Sequence, residues 1–334
     1  MTTLKDIAKA AGVSHATVSR VVNNGPKVGP VLRAKINKLI KEMGYRPNAN
    51  ARALVTQKST TIGVVIPDVA DPFFATLANG IDKISRQLNM QMLISTGKLS
   101  AESEREAINL LLERRCETIV IHSKMIGDEE LIELFNAHPH FVLIDRYIAE
   151  IEDKCVWLDN QEGGKIAARH LLSLKHQQLA CITSSYDIED PKLRLRGFVE
   201  ELGKANITLD SQRLVRAEPT LQGGEIATQK LLASGQAFSA IFVYNDAMAI
   251  GAISTLEDNG YSVPNDVSII GFDDVLLARY SRPKLTTLQY PIDLMAQNAA
   301  QLALRIHQEP TMSSDKLKFI PQLIKRESTS RYLK

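Results

Sequence analysis

From Thr61 onward the chain alternates short, β-branched apolar runs with longer amphipathic stretches, and this alternation restricts the fold more than any other feature. The runs fall at 62–66, 92–95, 118–122, 141–144, 179–183, 240–243 and 267–272. Between them, apolar residues recur at helical spacing over 74–88, 104–114, 164–172, 193–204, 224–233 and 247–259. Strands that read as continuous apolar runs are covered on both faces, and strands separated by helices pair in parallel. The pattern therefore predicts an α/β fold of doubly wound parallel sheets. About 270 residues exceed one such sheet. Two lobes are expected.

Ligands bind such sheets beyond the carboxyl ends of the strands. Polar residues gather there. Asp71 and the Phe73-Phe74 pair follow the first run, Asp145 and Arg146 the fourth, and Arg194 is expected to open the helix after the fifth. Asn245 follows the sixth and Asp273 the last. Carboxylates, amides and guanidinium groups can each take two hydroxyls at once, and an aromatic ring can cover the apolar face of a sugar. Any single Asp or Asn in this position can equally be a helix cap. Recurrence at the same end of five strands points to a cleft for a polar ligand.

Catalysis leaves no comparable trace. The sequence has no GxGxxG after a strand, no GxxxxGK[ST] phosphate loop and no GxSxG nucleophile elbow. The doublets Gly163-Gly164 and Gly223-Gly224 open helices, where a cap or turn would account for them. The seven His residues show no metal-ligand spacing, and the three Cys residues, 116, 155 and 181, are far apart in apolar settings. Buried, reduced thiols in a cytoplasmic protein are expected, with no cofactor and no metal. No apolar run approaches the roughly 20 residues of a bilayer span, and no signal-peptide layout is present.

The N-terminal region has a different character. Residues 1–58 hold 11 Lys and Arg against 2 Asp and Glu, a net of +9, whereas the whole chain is only +2. A compact basic module on an acidic body is the footprint of a phosphate binder. Within it, Leu4, Ile7, Ala8, Ala11, Val13, Val18, Val21 and Val22 mark two helices broken at Gly12. Thr3 and Asp6 form a capping-box start, and Ser14 is placed to cap the second helix. A third helix is expected from about Pro30 to Met43, ended by Gly44 and Pro47. This reads as a helix-turn-helix, whose second helix enters the major groove of DNA. Residues 48–55 could form a short helix only against DNA or a second subunit.

With these features assembled, GVSHATVSRVVNN, YRPNANARAL and IGVVIPDVADPFF resemble the lactose/galactose repressor family of bacterial transcription regulators. The body, through ADPFF, LIDR, RLRGF, YNDAMAIGA and IIGFDD, resembles periplasmic sugar-binding proteins, and the likeness covers essentially all 334 residues. RCETIVIHSK and GFDDVLLARYSRPKLTTLQYPI are most similar to the galactose-responsive branch, which implies D-galactose or a related pyranose as effector. The resemblance implies a headpiece over 1–46, a hinge over 47–60 and an effector-binding, dimerising body over 61–334, whose two lobes span 61–159 plus 290–320 and 160–289 plus 321–334. It implies base reading by His15 and Ala16, a groove contact by Arg20, and phosphate contacts by Ser14, Thr17, Ser19 and Asn23. In the hinge it implies minor-groove contacts at Asn48, Ala51 and Leu54, with Leu54 wedged between base pairs. In the cleft it implies sugar contacts by Asp71, Phe73, Phe74, Asp145, Arg146, Arg194, Asn245 and Asp273, with Gln289 near the lobe crossover as a further candidate. The implied partners are double-stranded operator DNA, a sugar and a second copy of the chain, with no membrane. ESTSRYLK at the C-terminus has no leucine heptad, so a dimer without a helical tetramerisation tail is expected. Gly29 stands where the family commonly has a Ser or Thr cap.

Overall fold

The computed structural model describes residues 2–45, 61–116, 118–308 and 317–333. Asn48, Ala51 and Leu54 lie outside the described residues. The chain divides into two compact units, Met1–Thr60 and Thr61–Lys334.

In the first unit, α1 (Leu4–Ala11), α2 (His15–Val22) and α3 (Pro30–Glu42) surround one small core. Ile7, Val18 and Ile36, one from each helix, are fully buried in it. Local chemistry sets the helix ends. Thr3 and Asp6 close a capping box on α1, Gly12 takes a left-handed φ of 72° after it, and the Ser14 side chain accepts from the Thr17 N–H at the start of α2. The third helix starts at Pro30 with no side-chain cap from Gly29, an omission worth only a few tenths of a kcal/mol for Gly in place of Ser.

The second unit holds two six-stranded sheets. Sheet one contains β1 (Thr61–Ile66), β2 (Gln91–Thr96), β3 (Thr118–Ile121), β4 (Phe141–Ile144), β5 (Cys155–Leu158) and β11 (Leu317–Phe319). Sheet two contains β6 (Leu179–Ser184), β7 (Leu214–Ala217), β8 (Ala240–Val243), β9 (Ser268–Asp273), β10 (Thr286–Gln289) and β12 (Gln322–Ile324). Sheet one runs β2-β1-β3-β4-β5-β11 and sheet two β7-β6-β8-β9-β10-β12. The order is the same in both, and every pairing is parallel except β10 with β12. Such an order reverses direction between its second and third strands, and that switch point is where α/β sheets bind ligands. The chain passes between the sheets at β5, at β10 and at β11. A shared apolar cluster, with Ile62, Val120, Phe198, Phe242, Leu288 and Met295 among its members, runs through both.

The helices of sheet one are α4 (Pro72–Gln87), α5 (Ala101–Glu113), α6 (Asp128–Ala137) and α12 (Ile292–Gln308). Those of sheet two are α7 (Asn160–Ser173), α8 (Glu189–Lys204), α9 (Leu221–Ala233), α10 (Asp246–Asp258) and the short α11 (Leu276–Tyr280). The glycine doublets have a different reason from the caps or turns expected of them. A Cβ on Gly164 would lie 2.0 Å from the Arg194 carbonyl oxygen, and one on Gly197 1.8 Å from that of Gln161. On the other helix pair, a Cβ on Gly224 would lie 2.1 Å from the Met248 oxygen and one on Gly251 2.1 Å from the Leu221 oxygen. The pairs α7/α8 and α9/α10 thus cross backbone against backbone, each through one glycine per helix.

The three thiols are buried and free. Burial pushes Cys116 and Cys155 up to about 11 and Cys181 up to about 12, so none carries appreciable thiolate at neutral pH.

Two glycines of α8 separate packing from propensity. Gly197→Ala should cost about 1–3 kcal/mol, because backbone must move to admit the methyl. Exposed Gly203, with nothing within 4 Å of its Cβ position, should gain about 0.5–1 kcal/mol as Ala. Urea unfolding of both variants checks the pair.

Candidate functional site

In the first unit, α2 presents His15, Ala16 and Arg20 to solvent, with Ser14 exposed at its N-cap and Asn23 exposed just beyond its end. Thr17 and Ser19 are half-buried. Four of these polar groups already serve the helix: Ser14 Oγ lies 2.9 Å from Thr17 Oγ1, and Asn23 Nδ2 donates to Ser19 Oγ at 3.4 Å. The free amides at the start of α2 carry partial positive charge. Lys5, Lys9, Lys27, Lys35, Lys38 and Lys41 are also exposed on this unit. The surface suits a polyanion, with a short side chain and an imidazole at the tip of the helix able to approach closely.

In the second unit, a cavity of about 480 Å³ opens at the carboxyl ends of both sheets. Sheet one contributes Asp71, Phe73 and Phe74 after β1, His122 and Lys124 after β3, and Asp145 after β4. Sheet two contributes Asp190 and Arg194 from α8, Tyr244 and Asn245 after β8, and Asp273 at the end of β9. Tyr290, at a crossover between the sheets, also lines it. Both switch points, β1/β3 and β6/β8, therefore border one space of the size expected for a small-molecule site.

Helix capping and cavity lining coincide at two positions. Asp71 Oδ1 accepts from the Phe73 N–H at 2.8 Å, and Asn245 Oδ1 accepts from the Met248 N–H at 2.9 Å. Each caps its helix with one oxygen and still borders the cavity. Asp145 and Asp273 cap nothing. They adopt φ of 65° and 108°, sparsely populated conformations that cost about 1–3 kcal/mol and cluster at functional sites.

Arg194 is buried, at 4% exposure. Its guanidinium lies over the Phe272 ring, 3.6 Å from the centroid, and over the Tyr244 ring, 4.6 Å from that centroid. Nε donates to Asn160 Oδ1 at 2.8 Å and Nη1 to the Tyr244 carbonyl at 2.7 Å, with Asp273 Oδ1 3.5 Å from Nη1. Two aromatic faces and two hydrogen bonds fix the fork in its plane. The helix carrying Arg194 begins at Glu189 rather than near Leu193, since Glu189, Asp190 and Pro191 suit a first turn.

Carboxylates in this cavity have distinct states. Burial raises the Asp273 carboxyl to about 7, although the Arg194 guanidinium opposes the shift. Burial raises Asp71 as well. At Asp145 burial is outweighed by the Lys124 ammonium, by His122 and by the Tyr290 hydroxyl, and the group is held below the ordinary carboxylate range. His122 Nε2 lies 3.0 Å from Asp145 Oδ2, Tyr290 donates to Asp145 Oδ1, and His122 Nδ1 is buried without a partner. That unsatisfied nitrogen is a polar group for a ligand or water to meet.

Arg146 and Gln289 do not line this cavity. The left-handed turn at Asp145 sends Arg146 to the carbonyls of Ser123 and Ile126, at 3.2 and 2.8 Å, and to Asp128. It borders a neighbouring cavity of about 670 Å³ instead. Gln289 donates to buried Asp274 at 3.1 Å. Conversely, His122, Lys124, Asp190, Tyr186, Tyr244 and Tyr290 were not singled out in the sequence. His122 and Lys124 follow a strand at the same sheet end as Asp71, so that rule could have found them. Tyr290 follows β10, whose TTLQ sequence has no apolar run. Among the described residues no group of three or more His, Cys, Asp or Glu is arranged to hold a metal ion.

Comparison with known proteins agrees with both units. The pattern of bacterial regulatory proteins of the lacI family matches residues 3–48, and that of periplasmic binding protein-like domains matches residues 168–329. The chain is 41% identical over 330 residues to the HTH-type transcriptional regulator GalR of Escherichia coli K12, covering 99% of this chain and 96% of that protein. It is 42% identical over 330 residues to the regulator GalS of Salmonella typhimurium LT2, covering 99% and 97%. The structure of a lac repressor dimer bound to operator and the anti-inducer ONPF superposes with a TM-score of 0.88 at 26% identity, covering 98% of this chain and 99% of that one. With a basic helix-turn-helix unit followed by a two-sheet ligand-binding unit along its full length, the chain belongs to the lacI family of bacterial transcription regulators.

Proposed function

We propose that this protein is a sugar-responsive repressor, with D-galactose or a related pyranose as its effector. The observation that carries the reading is the cavity shared by the two sheets. Asp71, Asn245, Asp273 and Arg194 supply fixed acceptors and donors around it, and Phe73 and Phe74 supply apolar faces. A pyranose has an apolar face and a ring of hydroxyls, which matches that division. The likeness to the regulators GalR and GalS supports the choice of sugar. Ser14, His15, Ala16, Thr17, Ser19, Arg20 and Asn23 form the proposed DNA-contacting set. A homodimer would place two such helices on a two-fold symmetric operator of about 16–20 base pairs.

Sugar in the cavity contacts both lobes and favours one arrangement of them. Residues 47–60 join this unit to the DNA-binding unit in the chain and would carry the change. The coupling is reciprocal, so operator DNA must weaken sugar binding by the factor by which sugar weakens operator binding. Tyr186, Tyr244 and Tyr290 add aromatic surface beyond the Phe pair, which makes a purine the second reading.

One titration series tests the reading. Calorimetry with D-galactose, D-fucose, D-glucose, D-ribose and hypoxanthine should show heat with galactose or fucose. Heat with hypoxanthine alone would transfer the protein to the purine reading. In Arg194→Ala the galactose affinity should fall about thirtyfold or more, the scale for truncating one partner of a buried charged pair, while operator binding persists. Galactose affinity should rise as pH is raised from about 6 to about 8, because burial raises the Asp273 carboxyl to about 7 and only the carboxylate accepts sugar hydroxyls through both oxygens with charge assistance. Asp273→Asn should flatten that profile. Operator affinity should fall at least about a thousandfold between roughly 50 and 200 mM salt if six or more phosphates are neutralised.

A further inference from the structure

Lys124 belongs to the first lobe but reaches a carboxylate of the second. Its side chain is 5% exposed. Nζ lies 2.9 Å from Asp145 Oδ2, and 2.7 and 3.0 Å from the two oxygens of Asp190. It also donates to the Asp145 carbonyl, so all three N–H donors of the ammonium are engaged. Its backbone is fixed independently of this bridge. The buried Glu104 carboxylate accepts from Ser123 Oγ at 2.6 Å, the Lys124 N–H at 3.2 Å, the Met125 N–H at 3.2 Å and the Ile126 N–H at 3.1 Å. Lys124, Asp145 and Asp190 border both the 480 Å³ and the 670 Å³ cavities, and their bridge stands as the wall between them.

We infer that Lys124 is a positioning residue for effector binding, whose ammonium ties Asp145 of one lobe to Asp190 of the other and so sets how the lobes face each other across the cavity. This deepens the effector reading above and rests on it for the sugar, but the bridge itself is made only of the chain's own side chains. The charged and titratable groups around it are Asp145, His122 and Tyr290 on one side and Asp190, Arg194 and Asp273 on the other. Without the ammonium, two buried carboxylates on opposite lobes face each other with no cation between them. Either one binds a proton or the lobes separate to admit water. Burial already raises the Asp190 carboxyl, with Lys124 opposing and Asp145 adding to the rise, so Asp190 is the group to take that proton.

Trp157 is the one tryptophan of the sequence and lines the 670 Å³ cavity, which gives a readout that needs no sugar. Acrylamide quenching of the full-length protein is measured at about pH 8 and about pH 5, the lower of which favours a protonated carboxyl, for the wild type, Lys124→Met, Lys124→Arg and Lys124→Met/Asp190→Asn. The expected result is greater quenching in Lys124→Met at the higher pH, which shrinks towards the wild type at the lower pH. Asp190→Asn should restore it in the double variant, and Lys124→Arg should match the wild type. A merely structural defect would be relieved neither by acid nor by a second substitution. Equal quenching in Lys124→Met and the wild type at both pH values, or no restoration by Asp190→Asn, would overturn the inference. With D-galactose, Lys124→Met should bind roughly a hundredfold more weakly at the higher pH, the scale for unpairing a buried ion. If the quenching pattern holds while the wild type gives no heat with galactose, the bridge stands and the galactose reading fails.

Discussion

Two parallel sheets with one strand order share a chain that passes between them three times, and the properties of the cavity follow from that constraint. A parallel strand delivers its next residue at a fixed end of the sheet. With both sheets turning their carboxyl ends toward one space, residues far apart in sequence, such as Asp71, Asp145, Arg194 and Asp273, arrive together. One of these passages, at Tyr290, lines the cavity itself, so a ligand that touched both lobes would act beside a connection between them.

Charge inside that space is organised by position. Arg194 is held against the Phe272 and Tyr244 rings and serves the second sheet. Lys124 is held on a loop pinned by Glu104 and bridges the two lobes. The carboxylates divide accordingly. Asp145, with Lys124, His122 and Tyr290 around it, is fixed in its charged form. Asp273, buried beside a single more distant guanidinium, titrates near neutrality. A left-handed backbone at both residues aims these groups at the cost of local strain.

Close backbone packing completes the frame. The glycines of α7, α8, α9 and α10 allow helix pairs to approach until a methyl would overlap a carbonyl oxygen. Arg194 itself donates the carbonyl that Gly164 meets, so the helix contact and the cavity residue are set by the same residue of α8.

Much of this was legible in the sequence because it depends on local rules. Period and β-branching identify β1, β3, β6 and β9, which are buried on both faces. Thr3, Gly12 and Ser14 mark the ends of the first two helices through caps that involve only neighbouring residues. The strand-end rule places Asp71, Asp145, Asn245 and Asp273 at one cavity. The rest is decided by tertiary context. Strand β10 is Thr286, Thr287, Leu288 and Gln289, and its threonines are fully buried only because β9 and β12 flank it and Asp246 accepts from Thr287. Arg146 and Gln289 fit the sequence rule but are diverted by Asp128 and Asp274, partners that no local pattern reveals. Lys124 and Asp190 are 66 residues apart in the chain and meet only because the two lobes face each other. Sequence alone determined the helix-turn-helix, the paired parallel sheets and the end at which ligand groups gather, because backbone periodicity and capping act over a few residues. The folded structure decided which of those groups keep their charge, share a partner or form a wall, because burial and charge act between segments that only packing brings together.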